Sequence, residues 1–297
     1  MKIIFSRKGF DAENGGVASP IFDDNRICSL PIPFKRSSCT FNCIRFGNEN
    51  LGRVAEDLTR RKGRRIAGDD PAHLDPDLRK DALRRKRGWL PTFGPGGVAQ
   101  TNLEREGVEV GDLFLFYGWF RRSSKEDDRF VFVTGAPDLH VVFGWLQVGE
   151  VYHSFRPDAR IPGWAKRHPH IWTSDANEMW YQMSSYYGTV YVSPKRLELP
   201  GLRMHLPGGG VFEHFDRTLC LTDAGQSRSV WRLPAWMYPF PGKKPLTYHE
   251  DKRRWNRDRK GTVLRTVPRG QEFVLDCAQY PEKKVRQWLA DLFQHAA

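Results

Sequence analysis

Two short patterns, His73-Leu-Asp75 and His168-Pro-His170, offer the sharpest chemistry in this sequence. Residues at i and i+2 of extended backbone point to the same side. Pro76 and Pro169 each bias the preceding residue towards extended geometry. Two or three imidazoles with one carboxylate form the ligand set of mononuclear non-haem iron, with positions left open for substrate or oxygen. The expected cofactor on this reading is Fe(II) or another divalent metal, held by His73, Asp75, His168 and His170, with His140 as an alternate. Plainer roles stand beside it. Asp75 fits the N-cap of a helix opening at Pro76, and His168 and His170 suit phosphate or backbone groups. His140, between apolar neighbours, has the setting of a satisfied core residue.

A second group of candidates would hold a nucleotide or its phosphate. Ser6, Arg7, Lys8 and Asp11 follow the apolar run Ile3-Ile4-Phe5, and Gly9, Gly15 and Gly16 free that loop's backbone. Ligands sit beyond the carboxyl ends of strands in open sheets, and Arg beside Lys suits phosphate. A cationic surface turn is the alternative. Arg84 and Arg85 belong to a run of four cations, and Lys252, Arg253 and Arg254 stand next to Trp255. Rings among cations grip single-stranded or flipped bases, unless Trp255 packs into the core instead. Arg269 and Gln271 complete the set. Gln271 and Glu272 precede a predicted strand, whose alternation lets only one of them face a given pocket.

The cations are concentrated. Net charge is +12 over 297 residues; residues 53–87 hold 12 Lys/Arg against 7 Asp/Glu, residues 243–269 hold 10 against 3, and the remainder balances at 25 against 25. Such density suits a polyphosphate through neutralisation and counterion release. The expected partner is a nucleic acid or nucleotide, DNA foremost. The first window would steer a phosphate towards the candidate metal site and the second would supply rings, which requires both to lie on one face. The Gly-rich turn at 207–210 lacks the Lys-Ser/Thr of a phosphate loop.

No apolar run nears the ~20 residues of a membrane span, and the N-terminal one is too short for a secretory signal. A cytoplasmic protein without a membrane partner is expected. Cys28, Cys39, Cys43, Cys220 and Cys277 are odd in number and lack paired C-x-x-C elements, which suits reduced thiols.

The elements that must position these residues are an α+β set. Leu51, Val54, Ala55 and Leu58 predict a helix from about 50 to 61, stopping at Gly63. A second helix is expected from Pro76, capped by Asp75. Strands are predicted at Ile3–Phe5, Val110–Phe120, Phe130–Val133, Leu139–Val151, Thr189–Val192, Leu219–Thr222 and Glu272–Cys277. Val285, Trp288, Leu289, Leu292 and Phe293 mark an amphipathic helix over 282–295. The expected fold is a mixed or antiparallel β core with a barrel-type middle region at about 107–192 and peripheral helices, as a single domain over 1–297.

Two resemblances bear on function. Gly107-Val-Glu-Val-Gly-Asp-Leu-Phe-Leu-Phe-Tyr117 with Phe143-Gly-Trp-Leu-Gln-Val-Gly-Glu-Val151 resembles the barrel of PUA-like domains, including the EVE type, which read bases, often modified ones. Met1–Asp11, His73–Leu78, Gly135–His140, His168–His170 and Arg269–Val274 resemble the nucleotide modification associated domain 3 family over nearly the whole chain. That resemblance implies a setting among systems that alter DNA bases and assigns no reaction. The sequence therefore supports a component of a base or nucleotide modification system, as a metal-dependent enzyme or, alternatively, as a non-catalytic reader of modified bases. A nuclease is disfavoured, because Pro137-Asp138 has no nearby E-x-K.

Overall fold

The computed structural model describes residues 1–35, 37–61, 65–153, 160–171, 188–268, 270 and 272–296. In chain order, β1 (Lys2–Arg7), β2 (Ser19–Ile21), β3 (Ile32–Pro33), β4 (Arg45–Phe46) and β5 (Glu49–Asn50) lead into helix α1 (Leu51–Thr59). Next come β6 (Ala72–His73), β7 (Thr92–Phe93) and helix α2 (Val98–Arg105). The longest strands follow: β8 (Leu113–Glu126), β9 (Arg129–Phe132) and β10 (Leu139–Gln147). The rest are β11 (Glu150–His153), β12 (Thr189–Val192), β13 (Gly209–Val211), β14 (Val230–Leu233), β15 (Trp255–Asp258), β16 (Gly261–Arg265), β17 (Glu272–Asp276) and helix α3 (Glu282–Phe293).

The main sheet runs β13-β10-β8-β1-β17, with β2 and β9 also paired to β8. β1 lies parallel to β8, Ile3 opposite Leu113 and Arg7 opposite Tyr117. It lies antiparallel to β17, Lys2 opposite Asp276 and Ser6 opposite Glu272. Alternation sorts the side chains into two faces. On one, Ile4, Ser6, Phe114, Phe116 and Glu272 lie together, and Phe93 packs edge-on against Phe114 and Phe116 at 5.0 and 5.1 Å between centroids. On the other, Phe5 and Tyr117 pack against Trp231 of β14 at 5.8 and 4.9 Å, and Phe5 also meets Trp288 of α3. A second core gathers Val54, Ala55 and Leu58 of α1 with Phe41, Ile66 and Ala72.

α1 forms where its apolar stripe predicts, and Asn50 caps it by accepting from the Arg53 N–H at 2.9 Å. Its expected stop, Gly63, lies outside the described residues. β1, β9, β12, β17 and α3 fall within a few residues of expectation. Three expectations are corrected. No helix starts at Pro76: the Asp77 and Thr92 backbones exchange two hydrogen bonds, at 2.9 and 3.0 Å, which draws this segment along β7. Leu78 enters the main core and Ala82 the second, so no single helical face exists to bury. Leu219–Thr222 is not a strand; Arg217–Leu219 is a 3-10 turn capped by Asp216. The stretch 139–151 is two strands, because Gly149 turns against Pro194 and donates to Val192 O.

The barrel-type middle does not form either. β8 and β10 belong to the open main sheet, and β11-β12-β7 make a separate three-stranded sheet. No sheet closes on itself among the described residues. The reason is β1, which takes the free edge of β8 that a barrel would need for closure. Among the described residues no helix is long and apolar enough to cross a membrane.

Candidate metal and nucleotide site

Three segments converge on the side of the main sheet that holds Phe93. β6 pairs with β3, Ile32 opposite His73, and so fixes where His73 emerges. Asp75 follows two residues later, joined to Pro76 by a cis peptide bond. The loop after β7 brings Gly94, whose N–H donates to Asp75 Oδ1 at 2.9 Å. The turn 168–171, closed by Ile171 N–H donating to His168 O, brings the two further histidines.

The four predicted side chains therefore meet. His73 Nε2 and His170 Nε2 are 3.0 Å apart. Asp75 Oδ2 lies 3.5 Å from His170 Nε2 and 3.9 Å from His73 Nε2, and Asp75 Oδ1 lies 3.3 Å from His168 Nε2. One ligand atom each from His73, Asp75 and His170 falls within 4.8 Å of the others. His168 Nδ1 accepts from the His170 N–H at 3.2 Å, which puts the proton of a neutral His168 on Nε2, towards Asp75. Oδ2 thus faces two imidazoles, while Oδ1 faces Gly94 and His168.

All four side chains are nearly or wholly enclosed, between 3% and 13% exposed. Burial pushes His73 down to about 4, against the opposing pull of Asp75, so the ring is neutral at pH 7. Burial alone would raise Asp75, but the neighbouring His168, His170 and His73 outweigh it and hold the carboxyl at about 2. His73 is thus neutral and Asp75 ionised at pH 7, the protonation states that a divalent ion requires of these two ligand types. Packing fixes the rings: Phe34 meets His73 edge-on at 4.8 Å, and a Cβ on Gly94 would fall 2.5 Å from the His170 ring. His73 Nδ1 is buried with no hydrogen-bond partner among the described residues.

Lys8 and Ser6 lie on the same side. Lys8 Nζ pairs with Glu272 Oε1 at 2.6 Å and sits 4.8 Å over the Phe93 ring, and Ser6 Oγ donates to the same oxygen at 3.3 Å. The Lys8 charge reaches His73 and helps lower it. Glu272 Oε2 is buried without a hydrogen-bond partner among the described residues. Glu272, at the start of β17, is thus turned to this face.

The other candidates are dispersed. His140 accepts at Nδ1 from Trp231 Nε1 at 3.0 Å and packs edge-on to Tyr117, which places it in the opposite core and outside the cluster. Arg7 points to that opposite face and reaches Pro268 O. Asp11 caps its own turn, accepting from Glu13 and Asn14 N–H. Arg85 is held bidentate by Asp77 at 2.6 Å to both nitrogens and lies 4.1 Å over Trp89, while Arg84 is exposed. Trp255 is 7% exposed and donates to His249 O, so its ring packs in the core. Arg253 folds onto Asp251 and Arg254 reaches Arg265 O; Lys252 precedes them in the same 3-10 turn. Arg269 and Gln271 lie outside the described residues.

Residues 255–265 supply β15 and β16, which pair with β14, and Trp231 of β14 packs against Phe5. The second basic window therefore lies across the main sheet from the cluster, and the two windows do not share a face. The first window does adjoin the cluster. An open groove of about 580 Å³ is lined by His168, Phe34, Trp89, Trp164, Arg84 and Lys86, among others.

The model of the family described as nucleotide modification associated domain 3 matches residues 2–276. The chain belongs to that family. No curated protein and no solved structure matches the chain, so the PUA-like likeness finds no structural neighbour. Membership gives the chain a role in a nucleotide modification system and agrees with a nucleic-acid or nucleotide partner. Sequence reasoning missed Gly94, Phe34, Trp89 and Trp164 as parts of this family member's site. Neither Gly94-Pro-Gly-Gly97 nor the three rings stand in a pattern that marks them for chemistry.

Proposed function

We propose that the chain is a metal-dependent enzyme of the non-haem iron type, acting on a nucleotide base within its modification system. The observation that carries this reading is the meeting of His73 and His170 Nε2 with Asp75 Oδ2. The two imidazole nitrogens stand 3.0 Å apart, close enough that His73 and His170 would hold one ion together with Asp75. Asp75 Oδ2, 3.5 Å from His170 Nε2 and 3.9 Å from His73 Nε2, would complete the set. Two imidazoles and one carboxylate leave positions open for substrate or oxygen. When bound, Fe(II) or another divalent ion supplies the Lewis-acid or oxygen chemistry. The chain's own residues enclose the site, keep His73 neutral, and fix the carboxylate through Gly94 and His168. Reading of modified bases through a barrel is the weaker alternative, since among the described residues no sheet closes into the barrel that it invokes.

Elemental analysis after anaerobic reconstitution with Fe(II), Mn(II) or Zn(II) tests the proposal. One ion per chain is expected, lost in His73→Ala/His170→Ala. Wild-type protein that retains no more metal than this variant would sink it.

A further inference from the structure

We infer that the substrate reaches this site as a single-stranded or flipped-out nucleic-acid segment laid in the groove beside His168, and not as a free nucleotide. The inference rests on the proposed base-modifying reading and adds the substrate class. Arg84, Lys86 and Lys166 line the groove, are exposed, and pair with no carboxylate among the described residues. Asp77, the one acid lining the groove among the described residues, is matched by Arg85 at 2.6 Å. The groove thus carries three uncompensated positive charges along an open cleft, more than one phosphate calls for. A site for a free small molecule encloses 70–90% of it, whereas strand-binding grooves stay open, track the backbone with cations and offer rings to the bases.

The rings are present. Trp89 is backed by the Arg85 guanidinium, itself pinned by Asp77, which makes a rigid platform. Trp164 lines the same groove beside Gly88. Phe34 lines the groove and stands edge-on to His73, and His168 of the cluster lines the groove too, so the groove borders the cluster. The second basic window, across the sheet, takes no part in this track.

The test is fluorescence anisotropy with labelled 12-nucleotide DNA and RNA strands on the full chain, in wild type and in Arg84→Glu/Lys86→Glu/Lys166→Glu. These exposed residues are outside the metal set, and circular dichroism together with metal content checks that the variant is intact. Affinity should fall at least thirtyfold, and the slope of log affinity against log salt should fall by about 2, at about 0.7 per phosphate contact on single strands. The DNA and RNA arms show which backbone is preferred. Unchanged strand affinity in the triple variant, or a mononucleotide competing as well as the strand, would overturn the inference. Wild-type protein without metal, yet with strand binding that depends on these three cations, would overturn the enzyme reading and uphold the groove.

Discussion

His168 and His170 are two residues apart, yet they address different oxygens of one carboxylate. His170 shares Oδ2 with His73, and His168 stands by Oδ1. The two should respond differently to substitution. His170→Ala removes a proposed ligand and is expected to abolish tight metal binding. His168→Gln removes a group that orients a ligand and should weaken metal affinity by about 10–100-fold. Calorimetric titration of metal into both variants checks this, and equal losses would place His168 in the ligand set. Lys8 and Glu272 pose a stability question, with side chains 10% and 1% exposed. Lys8→Met strands a buried carboxylate and should cost about 3–5 kcal/mol, while Lys8→Met/Glu272→Leu should recover most of it. Urea unfolding of the pair decides; a benign Lys8→Met would show that the carboxylate finds solvent.

At the scale of elements, the site depends on how β7 ends. Gly94 gives its N–H to Asp75 and leaves room for His170. Gly94→Ala is therefore expected to lower metal occupancy severalfold, whereas Gly163→Ala, whose Cβ meets nothing within 4 Å, should not. Elemental analysis of the two variants makes the comparison. Asn50→Ala removes the cap of α1 and should cost about 1 kcal/mol in thermal or urea unfolding. α1 and α3 were legible because one stripe of each is buried in a single core, and β12 because all four of its residues are buried. The Pro76 helix was misread because an aspartate before proline suits a cap and a ligand equally, and only the exchange between Asp77 and Thr92 decides. The identities of the four clustered residues were readable from their i, i+2 spacing. Their meeting was not, since it rests on contacts between residues 97 apart in sequence, such as His73 with His170.

For the whole molecule, buried neutral histidines set the acid response. Burial pushes His140 to about 3 and His249 to about 4, below the ordinary 6.5. Between those values and 6.5 the unfolded chain holds protons that the folded chain refuses, so stability is full above about pH 7 and falls as pH drops towards 4. With His73, held at about 4 as well, three such groups give a slope of up to about 4 kcal/mol per pH unit near pH 5. Unfolding in urea at pH 7.5 and 5.0 measures it, and equal stabilities would mean that these rings accept protons in the folded state. The main sheet also has an order of manufacture built into it. β1 is made before either of its neighbours, yet Ile3 pairs with Leu113 on one side and Leu275 on the other. Through most of synthesis this apolar strand, Ile3 to Phe5, has no completed seat, and the long loops to be closed make its docking slow. β17 has to emerge from the ribosome before β1 is paired on both edges, so Ile3 to Phe5 stay open to non-native contacts until residues 272–276 are made.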